Sequence, residues 1–130
     1  MKSRLVMFFA QVAGILVVCN STVAHHGTSA SYDQSRMITV VGTVTEFVWA
    51  NPHAHILFDV KDDNGSIVHW AAEGSSPTNW SKQGWRKDSL KAGDQITVTM
   101  HPSKADTPVG VVMKVALPGG KELGRGNGID

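Results

Sequence analysis

The chain is almost without cysteine. Its one cysteine, Cys19, lies within residues 1–24, where a basic start, an apolar stretch and small residues up to Ala24 follow one another. This pattern is typical of a secretory signal peptide. A chain cleaved after Ala24 has no disulfide, no thiol nucleophile and no thiolate ligand, so any metal site in it must use nitrogen and oxygen atoms.

Long hydrophobic runs are also absent. The apolar stretch from 5 to 18 is shorter than the roughly 20 residues that a membrane-spanning helix needs. The sequence therefore predicts a periplasmic or secreted protein, cleaved near Ala24 and without a transmembrane span after processing. An uncleaved anchor is one alternative. A lipoprotein acylated on Cys19 is another, although Val18 is not the small residue that usually precedes such a cysteine.

Neither sign of charge is in excess. The chain has 12 Lys and Arg against 11 Asp and Glu, and the signal segment holds two of the basic residues and no acidic one. The remaining 106 residues thus carry ten basic and eleven acidic side chains, a formal charge of −1. This balance gives no electrostatic basis for nucleic-acid binding, and the length suits one domain.

Familiar catalytic motifs are missing as well. The chain has no Gly-x-Ser-x-Gly elbow. Its glycines from 119 to 128 follow no strand-to-helix transition of the kind that binds phosphate. The sequence therefore favours a binding module without catalysis.

What the chain does contain is the period-2 alternation of β-strands. The predicted strands cover 37–49, 53–61, 66–73, 95–100, 109–117 and a short 122–123. A short helix is predicted between Ser76 and Gln83, with Trp80 and Trp85 closing one end of the core, and Gly42 is expected to mark a bulge or bend. A three-stranded meander, a helical insertion and a hairpin predict a small all-β, OB-like barrel with one helical plug. A Greek-key sandwich is the alternative.

The predicted organisation has four parts. A signal peptide at 1–24 precedes a polar arm at 25–36, in which Tyr32 is the one sizeable apolar anchor. The barrel follows at 37–123, and a glycine-rich flexible tail occupies 124–130.

Six short motifs occur together across residues 24–123. They are Ala24-His25-His26, Gly42-Thr43-Val44, Asn51-Pro52-His53, Trp70-Ala71-Ala72-Glu73-Gly74, Gly84-Trp85 and Lys91-Ala92-Gly93-Asp94. With this set the chain resembles a family of small exported bacterial proteins of unknown function. The resemblance implies an exported β-rich domain and no particular activity.

Turn chemistry predicts the strand register. If Asp62 pairs with Ser66 across their turn, Asp59 faces His69 and His55 faces Glu73. If Trp49 likewise pairs with His53, Phe47 faces His55. Histidine and carboxylate side chains then converge near one end of the outer face of the sheet.

Such a set predicts a site for Cu(II) or Zn(II). The predicted ligands are His25, His26, His53, His55 and Glu73. After cleavage at Ala24, the α-amine and imidazole of His25 could chelate one ion together, which favours Cu(II). The same residues also fit a metal-free interpretation, in which His25 and His26 merely begin a polar arm and His53 bonds a turn carbonyl.

Two further hypotheses need no metal. Phe47 and Trp49, beside His53, could form a stacking platform for a small ligand or an oligosaccharide, as in other OB-type domains. A free strand edge could instead pair with an envelope partner protein. His69 and His101 are predicted to be a surface strand residue and a loop residue.

Overall fold

The computed structural model of the protein describes residues 28–124. The predicted signal peptide, His25, His26 and residues 125–130 lie outside the described residues. The elements are α1 (Thr28–Ser31), β1 (Ile38–Val48), β2 (His55–Lys61), β3 (Ile67–Glu73), α2 (Pro77–Lys82), β4 (Gln95–Pro102), β5 (Val109–Ala116) and β6 (Glu122–Gly124).

One sheet forms the molecule, in the strand order β3-β2-β1-β4-β5-β6. A parallel pairing of β3 with β5, from Ala71↔Val109 to Glu73↔Val111, joins its two ends. Five strands therefore close into a barrel and β6 extends the sheet beyond β5. The meander, the helical insertion and the closing hairpin confirm the predicted OB-like barrel. A single sheet closed on itself excludes the alternative of two facing sheets.

Alternation along the strands builds the core. Ile56 and Phe58 on β2 and Val98 and Met100 on β4 are buried, while the residues between them are more exposed. Each such side chain contributes about 1.5–3 kcal/mol when it is fully buried. The alternation of apolar residues in the sequence thus matches the alternation of buried and more exposed side chains along these strands.

Two tryptophans close one end of the barrel, as predicted. Ser76 caps α2 by accepting a hydrogen bond from the Asn79 amide, and Pro77 begins the helix. This places Trp80 inside, where its ring stacks on Trp85 with centroids 4.1 Å apart and an interplanar angle of 9°. Both tryptophans are fully buried.

The bulge in β1 lies after the predicted position. The register shifts between Val44 and Glu46, whereas Gly42 stays in register opposite Ile96. Gly42 serves close packing instead, because a Cβ there would lie 2.6 Å from the Phe58 ring.

The bulge makes the predicted β1–β2 register wrong by one residue. Phe47 lies opposite Ile56, and Val48, not Phe47, lies opposite His55. Because side chains alternate between the two faces of a strand, the extra residue turns Phe47 towards the interior.

Two strand boundaries differ from the prediction by two residues, and the others differ by at most one. β2 begins at His55, so that His53 belongs to the preceding loop. β4 continues to Pro102, which makes His101 a strand residue and the predicted loop assignment wrong. The pairings His101↔Val111 and Pro102↔Gly110 extend β4, and burial alternates along the strand as far as Pro102.

Candidate functional site

The β2–β3 hairpin sets the first part of the site. The Asp62 carboxylate accepts hydrogen bonds from the amides of Asn64 and Ser66 at 2.9 and 2.8 Å, which closes the turn. His55 consequently lies opposite Glu73, as predicted.

Glu73 has a hydrogen-bonding partner on each carboxylate oxygen. The Nδ1 atom of His53 lies 2.6 Å from Oε1, and the Tyr32 hydroxyl donates to Oε2 at 2.6 Å. The side chains of His53 and Glu73 are 30% and 20% exposed, so the pair is shielded but reachable from solvent. Tyr32, His53 and Glu73 are called the Glu73 cluster below.

Main-chain bonds of a buried neighbour hold His53 in place. The Ala54 amide donates to the Ser75 carbonyl at 2.9 Å, and the Gly74 amide donates to the Ala54 carbonyl at 2.7 Å. Ala54 itself is fully buried. The loop before β2 is therefore fastened to the end of β3, beside Glu73.

The contact with Glu73 defines the tautomer of a neutral His53. A carboxylate accepts hydrogen bonds, so the proton lies on Nδ1 and the lone pair lies on Nε2. Histidines that bind metals commonly donate their other ring nitrogen to a carboxylate in this way, which orients the ring and raises its basicity. Glu73 thus has the position of an orienting partner of His53.

Tyr32 was foreseen as an apolar anchor, but its hydrogen bond to Glu73 was not. The residue is only 7% exposed and forms an isolated β-bridge with Ser103. Burial, followed by the hydrogen bond and the negative charge of Glu73, raises the pKa of the Tyr32 hydroxyl well above its usual range. The available signal was general: a buried tyrosine hydroxyl usually has a polar partner.

The described residues do not form a complete metal site on their own. Within 28–124, no group of three His, Cys, Asp or Glu side chains is arranged to hold a metal ion. His55 lies opposite Glu73 in register, yet both Glu73 oxygens are engaged by Tyr32 and His53. The two remaining predicted ligands, His25 and His26, lie outside the described residues.

The predicted stacking platform belongs to a cluster of aromatic rings. The Phe47 ring centroid lies 5.7 Å from that of Trp49, 6.3 Å from that of Trp80 and 5.9 Å from that of Trp85. Phe47 and Trp49 are only half-buried. Their role in binding a ligand stays a prediction.

The other histidines have partners of their own. His69 lies opposite Asp59, as predicted, with Nδ1 2.6 Å from the carboxylate and a side chain that is 82% exposed. The Nδ1 atom of His101 donates to the Arg36 carbonyl at 2.5 Å. Their Nδ1 contacts involve neither Glu73 nor His53.

Fold and site together define a small OB-type barrel in which a buried tyrosine and a histidine both contact the carboxylate of Glu73. The chain belongs to DUF6152, a family of unknown function whose model matches residues 13–112. The expectation of a family without assigned activity is thereby confirmed. No curated protein matches the chain. Among the described residues, no helix is long and apolar enough to cross a membrane.

Proposed function

We propose that the protein is an exported, non-catalytic module that binds Cu(II) or Zn(II), with His53 as the ligand supplied by the barrel. The contact between His53 Nδ1 and Glu73 Oε1 carries the proposal. It fixes the ring and leaves Nε2 as the donor atom, and imidazole nitrogen suits both metals. In this proposal Glu73 orients the His53 ring and does not itself bind the metal.

His55 is the nearest further candidate ligand in the sequence. His53 and His55 lie on either side of the buried Ala54 in the sequence, and both histidines are partly exposed. Residues two apart on an extended chain point to the same side. His55 is therefore included beside His53 in the proposed ligand set.

His25 and His26 complete the proposed ligand set, and Tyr32 supports their inclusion. The Tyr32 hydroxyl contacts the carboxylate that also holds His53. His26 precedes Tyr32 by six residues, which an extended chain spans in at most roughly 20 Å. This short separation in sequence from Tyr32 is the ground for including the N-terminal histidines in the proposed ligand set. Cleavage after Ala24 would add the α-amine of His25 as a chelating group.

Calorimetry on the chain that begins at His25 tests this proposal. We expect Cu(II) or Zn(II) to bind with a dissociation constant below about 10 μM at neutral pH, and His53→Ala to weaken binding at least about tenfold. His69→Ala is the matched control, because it removes an exposed histidine that is bonded to Asp59. Binding weaker than tens of micromolar, or equal affinity in wild type and His53→Ala, would contradict the proposal.

A chain that retains Ala24 isolates the contribution of the N-terminus. It keeps every histidine but places the α-amine one residue away from His25. We expect a lower Cu(II) affinity and a changed Cu(II) electron paramagnetic resonance spectrum. Identical spectra would remove the amine from the proposed ligand set.

Export is a separate part of the proposal, supported by the signal pattern of residues 1–24. Intact mass of the protein from a periplasmic fraction tests it. A mass that begins at His25 supports export with cleavage after Ala24. Uncleaved protein in the cytoplasm would contradict it.

A second candidate function is the binding of an oligosaccharide or another small ligand. The specific observation is a groove of about 450 Å³ on the β1–β2–β3 side of the barrel. Its lining residues are Thr45, Leu57, Phe58, Asp59, His69, Trp70 and Ala71. The face of strands 2 and 3 is where OB-type barrels often bind ligands. Binding of an oligosaccharide that is lost in Leu57→Asp would support this function, and affinity unchanged by that substitution would oppose it.

A further inference from the structure

We infer that Tyr32 fastens the N-terminal arm to the barrel and, through Glu73, positions His53, so that arm docking and metal binding strengthen each other. The arm is here residues 28–36. The part of this inference that concerns metal rests on the proposed function. The part that concerns arm docking does not.

Main-chain hydrogen bonds hold the arm on both sides of Tyr32. The Asp33 amide donates to the Pro102 carbonyl at 2.8 Å, and the Lys104 amide donates to the Ser31 carbonyl at 3.0 Å. These bonds attach the arm to the end of β4 and to the loop that follows it. They do not reach β3.

The Tyr32 side chain makes the connection to β3. Its hydroxyl spans 41 positions of sequence to bond Glu73 Oε2 at 2.6 Å, and the ring beneath it is buried. A hydrogen bond to a carboxylate is stronger than one between neutral groups. The arm is thus attached to two separate parts of the barrel.

The same bond restrains the carboxylate that orients His53. With donors on both oxygens, Glu73 is held from two directions. Loss of the hydroxyl leaves His53 Nδ1 as the remaining partner in the Glu73 cluster, so the carboxylate can rotate and the histidine ring can follow it. Tyr32 is therefore a positioning residue for the proposed ligand.

Metal binding acts back on the arm through the same contacts. A metal ion that binds His53 in the orientation set by Glu73 must favour the docked arm, because coupling between two equilibria is reciprocal.

Tyr32→Phe tests the inference, because it removes the hydroxyl and keeps the ring. In metal-free protein we expect the amides of Asp33 and Lys104 to exchange hydrogen at least about threefold faster than in wild type. We expect Zn(II) affinity to fall about three- to tenfold. In wild type, Zn(II) should slow exchange at both amides. Thr39→Val is the matched control, because it removes a hydroxyl that contacts Thr99 and leaves the arm intact.

A chain that begins at Gly27 isolates the route through Glu73. It lacks His25 and His26, so any effect of Tyr32→Phe on its residual Zn(II) affinity must pass through Glu73 and His53. We expect a measurable loss in this background. No loss would overturn the positioning role.

The remaining outcomes test arm docking and its coupling to metal binding separately. Unchanged amide exchange in Tyr32→Phe overturns arm docking by Tyr32, whether or not metal binds. Faster exchange with unchanged Zn(II) affinity overturns the coupling. Faster exchange in a protein whose wild type binds neither metal supports docking, while it ends both the proposed function and the coupling. Far-UV circular dichroism verifies that each variant is folded.

Discussion

Glu73 illustrates how a residue's role depends on its contacts rather than on its type. As a carboxylate beside two histidines it fits a metal ligand, but its two oxygens are engaged by His53 and Tyr32. The partly buried carboxylate is thereby compensated by hydrogen bonds, as partly desolvated charges require. In the proposed metal site, Nε2 of His53 is therefore the donor atom and Glu73 orients the ring.

Tyr32 gives a direct test at this scale, since it is the single tyrosine of the chain. Its raised pKa predicts that the rise in absorbance at 295 nm will have its midpoint above the usual tyrosine value of about 10. Unfolding in urea should return the midpoint to about 10. A native midpoint at the usual value would show that the hydroxyl is not held against Glu73.

The same shift predicts a loss of stability at alkaline pH. Above pH 10 the unfolded chain releases the tyrosine proton while the folded protein keeps it, so the free energy of unfolding falls as pH rises. The slope from this one group is at most about 1.4 kcal/mol per pH unit. Urea unfolding of wild type and Tyr32→Phe between pH 9 and 11 should show the steeper fall in wild type. Parallel curves would contradict it.

At the scale of elements, α2 and the segment that follows it contribute an aromatic pair, Trp80 and Trp85, whose members differ in one respect. The Trp85 indole donates to the Gly124 carbonyl at 2.9 Å, whereas the buried Trp80 indole nitrogen has no hydrogen-bonding partner within the described residues. Gly74 permits this packing, since a Cβ at that position would overlap the Trp80 ring. The end of β3 and the helical plug are therefore fitted to each other.

This difference predicts unequal effects of the same substitution. Trp85→Phe should cost about 1 kcal/mol more than Trp80→Phe, because it removes a formed hydrogen bond and leaves the Gly124 carbonyl without that donor. Both variants lose similar ring volume, so each serves as the control for the other. Urea unfolding measures the two free energies. A larger loss for Trp80→Phe would show that ring packing outweighs the hydrogen bond.

At the scale of the whole molecule, closure of the barrel depends on β5. Gly110 pairs with Ala72 of β3 and with Pro102 of β4, which places it where the two ends of the sheet meet. A Cβ at Gly110 would overlap the Met100 side chain. This glycine permits the strands to approach closely enough to close the barrel.

Gly110→Ala is therefore expected to destabilise the whole domain by about 1–3 kcal/mol, the usual cost of overpacking. Gly120→Ala is the control, since its turn has a positive φ of 89° but open space around it. Unfolding followed by tryptophan fluorescence and by circular dichroism should give coincident transitions at a lower urea concentration. A smaller loss for Gly110→Ala than for Gly120→Ala would contradict the packing argument.

The sequence by itself determined the features that local rules control. Alternation and turn residues predicted the strands, the helical plug and the register of β2 with β3, because the Asp62 turn fixes that register within a few residues. From this followed the pairing of His55 with Glu73. Strand order then indicated the barrel, since few topologies connect such elements without crossing.

Only the tertiary structure decided what depends on distant parts of the chain. The bulge after Val44 shifts the pairing of β1 with β2 by one residue, and it turned Phe47 from the predicted outer face towards the core. The bond of Tyr32 to Glu73 joins positions 41 residues apart, which no local pattern encodes. Alternation predicted His53 and His55 on one face. Contacts between distant parts of the chain brought His53 to the Glu73 carboxylate.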